Sequence, residues 1–114
     1  MLCVREKISL SELKKMSDKM FGNLVKAVVD VEQRIMVVDA PFHADQEQYL
    51  LEEGSAQKNL WGINLYPDNF GTPQWIVFDS MINLRPGWGN KTRGVDDPKV
   101  QELIREIITA LVTA

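Results

Sequence analysis

Residues 24–38 read Leu-Val-Lys-Ala-Val-Val-Asp-Val-Glu-Gln-Arg-Ile-Met-Val-Val, and this stretch decides the fold class. Two runs rich in β-branched residues, Leu24–Val31 and Ile35–Val38, are separated by only Glu32, Gln33 and Arg34. The spacing predicts a β-hairpin, although the turn lacks the Gly or Asn that usually marks one. A continuous helix is the alternative, because Glu, Gln and Arg are good helix formers. The density of valine favours strands.

A helix is predicted on each side of this hairpin. Ser9 and Glu12 have the spacing of a capping box, and Gly22 is a natural carboxyl-terminal stop, so the first helix lies between them. Pro41 ends the second strand, and Ala44–Glu53 reads as a short helix that Gly54 closes.

Two further strands and a final helix follow. Leu60–Tyr66 and Trp75–Leu84 are predicted to pair as an antiparallel hairpin, because the connection between them is dense in turn residues. Asp97 and Pro98 then mark the start of the last helix. Its apolar residues recur at helical spacing and form a wide face: Val100, Leu103, Ile104, Ile107, Ile108 and Leu111.

The order α-β-β-α-β-β-α predicts an α+β domain with a largely antiparallel four-stranded sheet and helices packed on one face. At 114 residues, the chain has room for a single domain over residues 1–114. Residues 1–7 are expected to be a poorly ordered or loosely attached amino terminus.

Composition narrows the class of protein. The chain is 45% hydrophobic and 25% charged, which is typical of a globular protein rather than a disordered or fibrous one. Its formal net charge of −3 argues against a nucleic-acid-binding domain. The single cysteine excludes an internal disulfide. No apolar run is long enough to span a bilayer and no secretory signal is evident, so a cytoplasmic location is expected.

The segment Arg85–Gly94 is the strongest candidate for a binding surface. It combines three cations, a tryptophan and several glycines, so it could contact an anion, a nucleic acid or an acidic protein. It matches no P-loop. The predicted binding residues are Arg85, Trp88, Asn90, Lys91 and Arg93. The alternative is a scaffold role, in which Arg85 reaches back to Asp96 or Asp97 and ties the loop to the last helix.

A second candidate surrounds His43, the only histidine. Asp39, Asp45 and Glu47 lie near it in sequence and could supply metal ligands. One histidine cannot build the common two- or three-histidine sites, and carboxylates also favour a helix amino terminus, so neither a metal nor a cofactor is predicted. Nucleophilic catalysis is disfavoured, because Cys3 lies near the amino terminus and Ser80 is predicted to lie within a strand.

Several motifs together resemble a family of small uncharacterised prokaryotic proteins, a domain of unknown function. The similarity extends from about Ser9 onward, and the runs that carry it are His43–Asp45, Leu51–Ser55, Leu60–Pro67, Ser80–Pro86, Gly89–Asn90, Arg93–Gly94 and Asp97–Pro98. The resemblance implies a stand-alone domain, and it implies no catalytic residue or cofactor.

Three functions are therefore compared. The first is a non-catalytic binding or interaction protein, with possible self-association as a homodimer, that uses the Arg85–Gly94 loop. The second is a nucleic-acid or nucleotide binder that uses the same loop. The third is a small hydrolase or metalloenzyme built around His43. The acidic net charge and the single histidine place the first ahead of the others.

Overall fold

Five antiparallel strands form the central sheet of the protein. The computed structural model describes residues 1–114, and its helices and strands follow in the order β1 (Leu2–Val4), β2 (Ile8–Ser9), α1 (Leu10–Met20), β3 (Val25–Asp30), β4 (Ile35–Val38), α2 (His43–Glu52), β5 (Leu60–Leu65), β6 (Ile76–Val77), α3 (Pro98–Leu111) and β7 (Val112–Thr113). The sheet order is β1-β4-β3-β5-β6, and β2 pairs with β7 in a separate parallel ladder. This is the predicted α+β class in one domain.

The predicted hairpin is confirmed, and its turn shows how it forms without glycine. Asp30 accepts hydrogen bonds from the backbone N–H groups of Glu32 at 2.9 Å and Gln33 at 3.0 Å. Arg34 takes a positive φ of 59°, the role that Gly or Asn usually fills. The aspartate carboxylate therefore replaces the missing turn residue.

The helix boundaries follow the predicted caps. The Ser9 hydroxyl accepts a hydrogen bond from the Glu12 N–H at 3.1 Å, and Gly22 follows the helix end with a φ of 88°. Asp97 accepts from the Lys99 N–H at 2.9 Å, with Pro98 at the first helical position. None of the three helices combines the length and hydrophobicity that a bilayer-spanning helix requires.

The helices cover both faces of the sheet, so the prediction of helices on one face is wrong. Helices α1 and α3 pack on the larger core cluster, which includes Leu13 and Ile104. On the opposite face, Leu50 of α2 packs with Val28 and Val37 in a smaller cluster. The central strands β3 and β4 carry apolar residues on both faces, and both must be covered.

The strand count also differs from the predicted four. Residues Leu2–Val4, expected to be loosely attached, pair with β4 as the edge strand β1. The predicted strand Trp75–Leu84 is reduced to Ile76–Val77, after which the chain turns into a 3₁₀ turn at Met81–Asn83.

Asn83 explains why the predicted strand is short. Its side-chain amide accepts from the Gly62 N–H at 2.8 Å and donates to the Gly62 carbonyl at 2.9 Å. These two bonds occupy the backbone positions of β5 that a continuing strand would use. A side chain therefore takes the place of a strand at this edge of β5.

Candidate functional site

The Arg85–Gly94 loop is organised around Asn90, which is 5% exposed. Its amide nitrogen points at the carbonyl oxygens of Asn83 at 2.7 Å, Gly94 at 2.9 Å and Thr92 at 3.0 Å. Its amide oxygen accepts from the Asp96 N–H at 2.9 Å. Asn90 was predicted as a binding residue, and these contacts give it a structural task in addition to a position beside a surface groove.

Asp96 fixes the second half of the loop. Its carboxylate accepts from the Lys91 N–H at 2.6 Å and from the Thr92 hydroxyl. These hydrogen bonds, that of the Thr92 hydroxyl first, lower the pKa of Asp96. The Lys91 residue itself is exposed.

Arg85 is held against two tryptophans. Its guanidinium donates to the carbonyl oxygens of Gln57 and Leu60, both at 2.7 Å, and lies 4.3 Å from the Trp61 ring centroid and 5.6 Å from that of Trp88. Arg85 thus binds neither Asp96 nor Asp97, so the predicted pairing of Arg85 with those aspartates is wrong. Trp88 is 61% exposed. We call the depression of about 490 Å³ at this place the tryptophan groove, and it is lined by Lys58, Trp61, Arg85, Trp88 and Asn90.

Arg93 belongs to a different depression. Its Nε lies 2.9 Å from Oδ1 of Asp79, with both side chains about half exposed. Arg93 and Asp79 line a second concavity of about 420 Å³ together with His43, which we call the His43 cleft. Arg85 and Arg93 therefore line two different depressions, and Lys91 lines neither of them.

His43 occupies the first position of α2 and is 8% exposed. Its Nε2 lies 2.8 Å from the Ile63 carbonyl oxygen, which can only accept, so Nε2 carries the hydrogen. Burial is the main cause that lowers the pKa of His43, and the positive charges of Lys26 and Arg93 act in the same direction. The ring is therefore neutral at pH 7.

The cleft is lined by buried polar side chains and by exposed apolar ones. Asn64, from β5, is 8% exposed and donates to the Asp79 carbonyl oxygen at 3.3 Å. At the rim, Phe42 and Met81 are each 62% exposed. The Lys26 ammonium lies 5.9 Å from the Phe42 ring centroid.

The cleft brings together a histidine, a serine and an aspartate, but each is bonded elsewhere. Ser80 is 2% exposed, and its hydroxyl accepts from the Ile82 N–H at 3.3 Å. Asp79 pairs with Arg93, and His43 bonds the Ile63 carbonyl. No hydrogen bond joins Ser80 to His43, so the geometry is not that of a catalytic triad.

The carboxylates near His43 in sequence do not gather around it. Asp45 lines a separate depression beside Met1. Across the whole chain, no three His, Cys, Asp or Glu side chains come close enough together to hold a metal ion. At the amino terminus, burial raises the pKa of the Cys3 thiol, which leaves it less reactive at neutral pH.

The protein is thus a small α+β domain whose sheet is covered by helices on both faces, with the tryptophan groove and the His43 cleft on its surface. The chain belongs to a family of proteins of unknown function, DUF5674, whose family model matches residues 2–111. The resemblance to a domain of unknown function is thereby confirmed. Neither the curated proteins nor the solved structures include a significant match.

Proposed function

We propose that this protein is a non-catalytic binding protein, and that the tryptophan groove of the Arg85–Gly94 loop engages an acidic segment of a protein partner. The observation that carries the proposal is Trp88, an indole that is 61% exposed on a loop tied down by buried hydrogen bonds. Exposed tryptophans are frequent centres of binding energy at protein interfaces.

The contacts of Arg85 hold the groove in a fixed arrangement in the free protein. The guanidinium of Arg85 is held by two carbonyl oxygens and lies over the rings of Trp61 and Trp88. Side chains that are already fixed lose little conformational entropy on binding. This rigidity supports a binding role for the groove.

Charge favours an acidic partner. Lys58 and Arg85 line the groove, and Lys91 follows Asn90 in the same loop. The chain as a whole carries a net charge of −3, which disfavours a polyanion such as nucleic acid relative to a short acidic peptide. The groove lining contains no histidine, cysteine or carboxylate to transfer protons, which supports binding rather than catalysis.

The proposal extends to the setting of the protein. The single cysteine fits a reducing compartment, and we infer a cytoplasmic location in a prokaryotic cell. A nucleotide or nucleic-acid ligand at the same groove is the alternative, because indole and guanidinium planes also stack on bases.

The test is fluorescence anisotropy with three labelled probes: a decapeptide that alternates Glu and Leu, its Lys-Leu counterpart and a thymidine decamer. The Glu-Leu peptide should bind most tightly, and its affinity should fall with added salt because exposed charges are screened. Trp88→Ala should weaken binding at least tenfold, and Lys91→Gln about twofold at low salt.

Phe42→Ala is the matched control, because Phe42 is an equally exposed aromatic outside the groove. It should leave peptide affinity unchanged, and all variants should keep the melting temperature of the parent. If the Glu-Leu peptide does not bind, or if Phe42→Ala weakens it as much as Trp88→Ala, the proposal is wrong. Preference for the thymidine decamer would favour the nucleic-acid alternative instead.

A further inference from the structure

The residues that line the His43 cleft include two hydrogen-bond acceptors that no protein group satisfies. Because Nε2 of His43 donates to the Ile63 carbonyl, Nδ1 of the neutral ring is an acceptor, and no donor of the chain bonds it. Oδ1 of Asn64 also lacks a partner, although Asn64 is more than nine-tenths buried. An unsatisfied buried acceptor is costly, so it is uncommon in native proteins and needs an explanation.

The orientation of the Asn64 amide is fixed by its other contact. Its nitrogen faces the Asp79 carbonyl oxygen, which can only accept, so the unpaired atom is the oxygen. Asp79 adds a carboxylate to the same cleft. These groups therefore favour a ligand group that donates hydrogen bonds and carries positive charge, such as a protonated amine.

Groups that attract an anion lie in the same cleft, at the amino terminus of α2 and next to Asp79. Phe42, the residue that caps α2, provides no side-chain hydrogen bond to the first turn, and the helix starts at His43 within the cleft. Free N–H groups at a helix start attract anions. Lys26 and Arg93 add two cations to the lining. These groups favour a carboxylate, and because Arg93 lies 2.9 Å from Asp79, the positive and negative groups of a ligand must lie close together.

Apolar side chains line the same cleft. Phe42 and Met81, each 62% exposed, line the cleft together with Leu24 and Ile82. A ligand that covers these exposed side chains removes apolar surface from water, which favours binding. At about 420 Å³, the cleft falls within the range typical of small-molecule sites.

We propose that the His43 cleft binds a free α-amino acid with an apolar side chain. The ammonium group faces Asn64, His43 and Asp79, and the carboxylate faces the start of α2 with Lys26 and Arg93. The apolar side chain covers Phe42 and Met81. This site is distinct from the tryptophan groove, and the proposal does not depend on the partner suggested for that groove.

Isothermal titration calorimetry with L-leucine tests the ligand class, with N-acetyl-L-leucine and L-leucinamide as matched probes. The first removes the positive charge and the second removes the negative charge. L-leucine should bind, and each blocked compound should bind at least tenfold more weakly, because both charged ends are recognised. The proposal is overturned if L-leucine does not bind at about 10 mM. It is also overturned if either blocked compound binds as tightly as L-leucine.

Variants then assign the binding to the cleft. Arg93→Gln should weaken L-leucine binding at least fivefold, whereas Lys91→Gln, a cation of the same loop outside the cleft, should not change it. Asn64→Val removes the unpaired acceptor and should also weaken binding; if this variant fails to fold, Arg93→Gln still decides. Trp88→Ala should leave L-leucine affinity intact. Equal losses in Arg93→Gln and Lys91→Gln would refute the assignment.

Discussion

Replacing Gly62 with alanine is expected to destabilise the protein, because β5 and the 3₁₀ turn at Met81–Asn83 approach each other too closely for a side chain. A Cβ atom at position 62 would lie 2.5 Å from Cβ and 2.6 Å from Oγ of Ser80, and 3.1 Å from Cγ1 of Ile82. Carbon atoms in contact normally lie about 3.5–4.0 Å apart, so the two segments must separate by roughly 1 Å.

The separation also strains the two hydrogen bonds between Gly62 and the Asn83 amide, which measure 2.8 and 2.9 Å. Overpacking costs about 1–3 kcal/mol, and weakening such bonds adds about 1 kcal/mol. Alanine returns about 0.5–1 kcal/mol through the lower conformational entropy of the unfolded chain. The expected net loss in the free energy of unfolding is therefore about 2 kcal/mol.

Urea denaturation monitored by circular dichroism measures this loss. Gly87→Ala is the matched control, because a Cβ at position 87 meets no atom within 4 Å, and it should change stability by less than about 0.5 kcal/mol. In a double-mutant cycle, Ser80→Gly should recover about 1 kcal/mol or more of the loss in the Gly62→Ala background. Unchanged stability of Gly62→Ala, or no coupling to Ser80, would refute the reasoning.

Three further changes probe the core, the loop and the cleft. Ile104→Asp should abolish cooperative unfolding, since Ile104 is fully buried and an unpaired buried charge costs several kcal/mol; a cooperative melt would contradict this burial. Asn90→Ala should lower the free energy of unfolding by about 2–4 kcal/mol, whereas Lys91→Ala should change it by less than about 0.5 kcal/mol; equal effects would contradict the structural task of Asn90. The pKa of His43 is lowered from 6.5, so the unfolded chain binds the proton more readily than the folded protein does. The stability that His43 contributes is therefore complete above about pH 6.5 and falls as the pH drops below it. His43→Gln should remove this pH dependence, and an unchanged profile would assign the dependence to other groups.

Local signals in the sequence predict most of the helices and the first hairpin. Ser9, Gly22 and Asp97 act through contacts within a few residues, so their effects can be deduced from spacing alone. The strand Leu2–Val4 could not be predicted in this way. Three residues show no periodicity, and the strand exists because the edge of β4 is available to pair with it.

The predicted strand Trp75–Leu84 failed for a different reason. The alternation of apolar residues is real, but the Asn83 amide takes the backbone groups of Gly62, and this competition is invisible in a local pattern. Contacts between distant residues also decide the candidate sites. The carboxylate of Asp96 is engaged by the backbone of Lys91, and Arg85 instead finds carbonyl oxygens about 25 residues away.

Only part of the candidate site could be predicted from the sequence. The charges and the tryptophan of the Arg85–Gly94 loop identified a surface, and the structure assigns Arg85 and Trp88 to one depression and Arg93 to another. The juxtaposition of Arg93 with His43 has no sequence signal, because 50 residues separate them. β5 pairs with β6, so Asn64 lies opposite Val77. Asp79 follows Val77 by two residues, and this pairing therefore positions Asp79 beside Asn64 at the cleft.

The parallel ladder between β2 and β7 has a consequence for the rate of folding. It joins residues separated by more than a hundred positions, because Ile8 pairs with Val112 and Ser9 with Thr113. Closing such a long loop costs conformational entropy before any contact forms to offset that cost, whereas the hairpin of β3 and β4 closes over a few residues. We therefore expect the ladder to form late, after the transition state, so that substitutions that weaken it should accelerate unfolding while leaving the folding rate nearly unchanged.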